Sequence, residues 1–155
     1  MAAALIVLHA ACQRPGPAAA RPRHVEIVPA SAGAVDLVVR QALADARRDA
    51  RRLVVYVSAS WCQPCERFQA AVRAGKLDAR FPDLRLLMFD HDRDSARLDA
   101  AGYEGRMIPR FVLPGADGRG TDQKTEGGTK NEDTVAISIT PRLAQLLGTA
   151  PPGAR

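Results

Sequence analysis

The chain has 155 residues, 46% of them apolar and 25% charged, which gives one globular domain with appendages and enough length to bury a core. Its formal net charge of +5 rests on 19 arginines and 3 lysines that are interleaved with Asp and Glu, and aromatics are only 5%, so no basic stripe with stacking rings marks a nucleic-acid partner. Three cysteines supply one close pair, and Cys12, His24 and His91 at unrelated positions give no second half-site, so no metal centre is expected.

Residues 2 to 11, Ala-Ala-Ala-Leu-Ile-Val-Leu-His-Ala-Ala, form an apolar run too short to span a membrane. The run ends in small residues before Cys12, as a secretory signal does. Ala10-Ala11-Cys12 also resembles the end of a lipobox, where the cysteine becomes a lipidated N-terminus. No positive segment precedes the run, and His9 stands where a lipobox prefers a branched aliphatic residue. The expectation is a signal-like or lipoprotein-type segment over 1–12, an exported, periplasmic protein and a possible lipid anchor at Cys12. The alternative is an Ala-rich N-terminus of a cytoplasmic protein. Residues 13–23 hold Pro15, Gly16, Pro17 and Pro22 without apolar period, and read as an extended tether that would hold a domain off a membrane surface.

The domain itself is expected over 24–148, with a disordered tail over 149–155. His24 to Val28 reads as a short first strand. Ser31 is the expected N-cap of a helix running to about Arg51, with Val35, Val38, Val39, Ala42, Leu43 and Ala46 on one face. Arg47, Arg48, Arg51 and Arg52 give that helix a favourable positive end. Leu53 to Val57 is an apolar, β-branched run and reads as a buried strand. Trp61-Cys62-Gln63-Pro64-Cys65 follows, then a helix to Arg73 carrying Phe68, Ala71 and Val72 at helical spacing. Gly75 breaks it, and Leu77 and Phe81 close the core edge. Leu84 to Phe89 is the next strand, and two apolar strands joined through a helix imply a parallel pair.

Asp90-His91-Asp92-Arg93-Asp94 opens like a calcium loop, but Ser95 and Ala101 stand where the glycine and the bidentate glutamate belong. The expected structure is a loop with Asp92 or Asp94 capping a short helix through Ala101, which leaves His91 on the surface. Met107-Ile108-Pro109 enters a strand over Arg110 to Leu113, and Pro114 to Gly118 is a turn. Thr121 to Glu126 is the polar hairpin partner, ending at Gly127-Gly128. After a polar loop, Val135, Ile137 and Ile139 alternate, which favours a strand, with a helix start as the alternative. Thr140 then caps a last helix with Pro141 at its first position, Gly148 past its end, and Leu143, Leu146 and Leu147 toward the sheet.

The two cysteines therefore sit where a core strand gives way to a helix. Cys62 falls at the helix N-terminus, where unpaired backbone N–H groups and the helix dipole favour a thiolate. Cys65 lies one turn inside, close enough to close a small disulfide ring. Pro64 has no N–H to lose in a first helical turn. Such a strand–CxxC–helix unit is a dithiol/disulfide couple.

Val55 to Cys65 resembles the active-site stretch of the thioredoxin-like family, and Met107-Ile108-Pro109 with Phe111-Val112-Leu113 resembles its Ile–cis-Pro loop and following strand. The resemblance covers roughly residues 31–128. It implies an α/β fold, a central mixed sheet of four to five strands with helices on both faces. It implies catalysis by Cys62 and Cys65, an active-site dipeptide Gln63-Pro64, and substrate contacts at Trp61, Ile108 and Pro109, with the backbone of Ile108 pairing with substrate. No cofactor is implied beyond the redox-active disulfide. Partners would be protein disulfides and a membrane or thioredoxin-type electron donor.

Two positions depart from the family pattern. Tyr56 stands six residues before Cys62, where thioredoxins proper carry a buried aspartate, and Met88 stands in place of their nearby lysine. Tyr56 either packs or carries a hydroxyl toward Cys65; without the aspartate, water or Glu66 is left to serve in resolution. No histidine adjoins Cys65 as it does in strongly oxidising members, and Ala42 to Ala46 resembles extracytoplasmic reductase-type members. The expectation is an exported reductase of protein disulfides. The alternatives are a binding module with a structural Cys62–Cys65 disulfide and a cytosolic redox sensor using Cys12.

Overall fold

The computed structural model describes residues 24–149; the signal-like segment with Cys12, the tether and residues 150–155 of the expected tail lie outside the described residues. The chain order is β1 (Glu26–Pro29), α1 (Val35–Arg48), β2 (Arg52–Ser58), α2 (Gln63–Arg73), β3 (Leu84–Asp90), α3 (His91–Ala100), β4 (Arg110–Pro114), β5 (Gly120–Glu126), a π-helical turn (Val135–Ile139) and α4 (Thr140–Leu146). The strands form one mixed sheet in the order β1-β3-β2-β4-β5. β3 runs parallel to both β1 and β2, while β4 is antiparallel to β2 and to β5.

β2 is apolar at successive residues because both of its faces are covered. Val54 and Tyr56 point to the side packed by Phe68, Ala71 and Val72 of α2 and by Leu143 and Ala144 of α4. Leu53, Val55 and Val57 point to the other side, against Val35, Val39 and Ala46 of α1 and Leu98 of α3. This period of two, read against helices on both faces, is the arrangement the resemblance implies. The outer strand β5 is different: Asp122, Gln123 and Lys124 are exposed along it.

Both expected bounds of α1 are corrected. Ser31 does not cap α1; Ala34 stands at the cap position with no side-chain bond. The chain stays on the sheet through Ala30, whose N–H donates to Met88 O at 2.8 Å, and turns at Gly33 with φ 117°. The helix also ends at Arg48, so Arg51 and Arg52 leave it. Arg51 pairs with Glu26 at 2.7 Å, and Arg52 holds Asp83 through two bonds of 2.8 and 2.9 Å.

Neither Asp92 nor Asp94 caps α3. β3 passes into the helix without a loop, so the cap falls on the last strand residue: the Asp90 carboxylate accepts the N–H groups of Asp92 and Arg93, both at 3.0 Å. Asp94 turns inward instead. Only 2% exposed, it accepts from Asp90 N–H, Arg93 and Arg97. His91 is half-buried, edge-on to Trp61 with ring centroids 6.2 Å apart.

The segment 135–139 is a π-helical turn, not a strand. A strand would put Val135, Ile137 and Ile139 on one side. Here Ile139 is buried and Val135 packs on the core, while Ile137 is 61% exposed. The four-residue spacing of Val135 and Ile139 matches a helical face.

Candidate active site

The order of the elements fixes the site. β2 ends at Ser58, three residues, Ala59 to Trp61, follow, and Cys62 occupies the N-cap of α2. Its Sγ accepts the N–H of Cys65 at 3.3 Å, and its carbonyl accepts Glu66 N–H at 3.0 Å. A sulfur that accepts a helix N-terminal N–H is stabilised as an anion, both by the bond and by the helix dipole. Cys62 and Cys65 form a disulfide with Cα atoms 5.2 Å apart. Both are buried, Cys62 at 4% and Cys65 at 0% exposure, so Cys62 is the more accessible residue of the pair.

The second motif comes to the same place. The Ile108–Pro109 peptide bond is cis. Ile108 packs against the cluster of Ala59, Cys62 and Cys65. Gly127 N–H donates to Pro109 O at 2.8 Å, and a Cβ on Gly128 would come 2.9 Å from Pro64 Cβ. Trp61, next to Cys62 in the chain, and Met107, next to Ile108, are exposed apolar side chains, at 64% and 56%. Trp61 is fixed by its Nε1–H, which donates to Asp92 at 2.8 Å. The structure thus sets Ile108 against Cys62 and Cys65 with Pro109 next in the chain, while Gln63 and Pro64 open α2 and Trp61 turns to the start of α3. Cys12 lies outside the described residues.

Tyr56 packs. Its ring stacks on Phe111 at 5.0 Å and meets Phe68 edge-on at 5.5 Å. The hydroxyl ends 3.5 Å from the carbonyl of Cys65 and 3.5 Å from Gln69 Nε2. Burial raises its pKa; hydrogen bonds from Ser58 and Gln69 pull the other way without offsetting it. The phenol is therefore neutral at ordinary pH. Met88 is its register partner on β3, so an apolar residue stands beside it. Gln69 also donates to Ser58 at 3.0 Å, and both line a cleft of about 290 Å³ with Asp90 and Arg93.

Arg110 and Glu126 were not read as site residues from the sequence. Arg110 follows Pro109 directly and is 2% exposed, and its register partner on β5 is Glu126. A signal was present: an arginine inside an apolar strand needs a carboxylate partner when buried.

No family model and no curated protein matches the chain. Solved structures do. A disulphide isomerase from Xylella fastidiosa Temecula1 is 22% identical with a TM-score of 0.51, covering 75% of this chain and 91% of that one. A poplar thioredoxin h mutant is 24% identical with a TM-score of 0.48, covering 86% and 90%. Thioredoxin O1 from Arabidopsis thaliana is 16% identical with a TM-score of 0.47, covering 79% and 96%. The fold is thioredoxin-like, with a CxxC-spaced disulfide at the start of its second helix.

Proposed function

We propose that the protein is a thiol–disulfide oxidoreductase that reduces disulfides of exported proteins through Cys62 and Cys65. The observation that carries this reading is the Cys62 sulfur at the N-cap of α2, accepting a backbone N–H beside the cis Ile108–Pro109 bond. In the reduced form, the Cys62 thiolate attacks one sulfur of a partner's disulfide. That S–S bond breaks, a Cys62–partner disulfide forms, and the partner's other sulfur leaves as a thiolate that takes a proton from water. Deprotonated Cys65 then attacks Cys62 Sγ, and the partner's second thiolate departs. Two electrons have moved from the dithiol to the partner, and an external dithiol or membrane donor returns them. Trp61 and Met107 offer apolar contact to the partner. With Tyr56 neutral and bonded to a carbonyl rather than a sulfur, the proton of Cys65 leaves to water or to Glu66.

The reducing direction draws on the Gln63-Pro64 dipeptide, which places no cationic histidine beside Cys65. Export and a lipid anchor draw on the apolar run over 2–11 and on Cys12. Mass spectrometry of the mature chain from its native host tests that part: Cys12 should be diacylated or removed. The test of the chemistry is a Cys65→Ser variant, which should accumulate mixed disulfides with substrate proteins through Cys62. A second reading, a structural disulfide in a binding module, draws on the near-complete burial of both cysteines. A potential below about −300 mV together with no turnover of a disulfide substrate would establish it instead.

A further inference from the structure

Resting on the exchange reading above, we propose that Glu126, braced by Arg110, is a positioning residue that sets the 106–109 backbone for pairing with an extended segment of a protein substrate. Arg110 is a buried cation in the strand that begins at the cis-proline loop. Its Nη1 donates to Tyr103 O at 2.7 Å, and its Nε faces Glu126 Oε2 at 3.4 Å without a hydrogen bond. The same carboxylate oxygen accepts the N–H of Arg106 at 3.0 Å and of Met107 at 3.1 Å. Gly105 makes room for this: a Cβ there would stand 2.2 Å from Arg110 Nε and 2.5 Å from Glu126 Oε2.

The effect is to occupy the backbone on both sides of Ile108. The N–H groups of Arg106 and Met107 go to Glu126, and the carbonyl of Pro109 goes to Gly127. Ile108 itself makes no backbone hydrogen bond among the described residues. A free N–H and C=O on a segment otherwise tied down is what pairing with an extended chain requires, and holding it beforehand lowers the ordering cost of binding. A buried charged pair contributes little net stability compared with apolar residues of the same shape. Its value here lies in the fixed reach of one carboxylate to two consecutive N–H groups.

The experiment compares two substrates, insulin as a protein disulfide and bis(hydroxyethyl) disulfide as one with no backbone to pair, with dithiothreitol as electron source. Glu126→Ala should lower kcat/KM for insulin about tenfold more than for the small disulfide, through KM. Glu126→Gln keeps an amide oxygen for the two N–H groups and should restore most of that selectivity. Arg110→Met combined with Glu126→Ala strands no charge and should show the same selective loss, which keeps the comparison available if Glu126→Ala does not fold. Equal losses on both substrates, or a selective loss that Glu126→Gln fails to restore, overturns the positioning role. A wild-type protein that turns over neither disulfide overturns the exchange reading itself, a different result from an active enzyme with indifferent variants.

Discussion

Tyr56 puts a neutral phenol where the resemblance implies a buried carboxylate, and its surroundings explain why it stays neutral. Burial raises its pKa above the ordinary 10.0, and burial, followed by the nearby Asp117 charge, raises that of Tyr103 as well. A proton held more tightly in the folded chain contributes stability that is present below pH 10.0 and is lost as pH rises through the raised value. Urea unfolding should therefore weaken on the alkaline side, and less steeply in Tyr56→Phe than in wild type; identical slopes would remove Tyr56 from that account. Tyr56→Phe keeps the stack on Phe111 and should lose about 1 kcal/mol at neutral pH, whereas Tyr56→Ala empties the stack and should lose about 3–5 kcal/mol. The cysteine pair was legible in the sequence because it is a short local pattern with its own chemistry, and Ile108-Pro109 was legible through its likeness to the family's loop. Arg110 and Glu126 were not, since their meeting depends on hairpin register, and the irregularity between Val112 and Pro114 shifts the count across the turn.

Among the elements, α3 shows how a cap depends on what precedes it. With no loop after β3, Asp90 caps the helix, and Asp94 is freed to turn inward as a node. Burial alone would raise the Asp94 carboxyl, but hydrogen bonds from Arg93, Asp90 N–H and Arg97 outweigh it and hold the group below its ordinary range. Arg97 carries the node further, donating to Ser31 O at 3.1 Å and Gly33 O at 2.8 Å in the connection before α1. A lowered carboxyl contributes stability that is full above its ordinary value of 3.8 and is lost as pH falls through the lowered one. Asp94→Asn should cost about 2–4 kcal/mol at neutral pH and flatten the acid side of the unfolding curve; a variant that unfolds like wild type at every pH would refute this. The alternation of Val135, Ile137 and Ile139 misled for a related reason. The same three residues suit a strand by spacing alone, and only the core, which takes Val135 and Ile139 but not Ile137, decides between the two.

For the whole molecule, the two-sided burial of β2 and β3 made the layered fold readable from apolar runs, and the site follows from it. Cys62 stands past the end of a central strand, and the cis-proline loop leads into that strand's antiparallel neighbour β4. Opening the Cys62–Cys65 ring should lower the melting temperature, since even a short ring restrains the unfolded chain by about 2 kcal/mol. Calorimetry of the oxidised and dithiothreitol-reduced protein measures the difference, and a reduced form that melts no lower would show that the freed thiolate at the helix start recovers what the bond gave. The charged outer strand has its own consequence. On the proposed function, the loop around Ile108 accepts foreign extended chains, whereas an open sheet border would accept them indiscriminately. Asp122 and Lys124 on β5 guard that border, so adhesion between molecules is discouraged along this flank, and the backbone proposed to receive substrate stays beside the sulfurs.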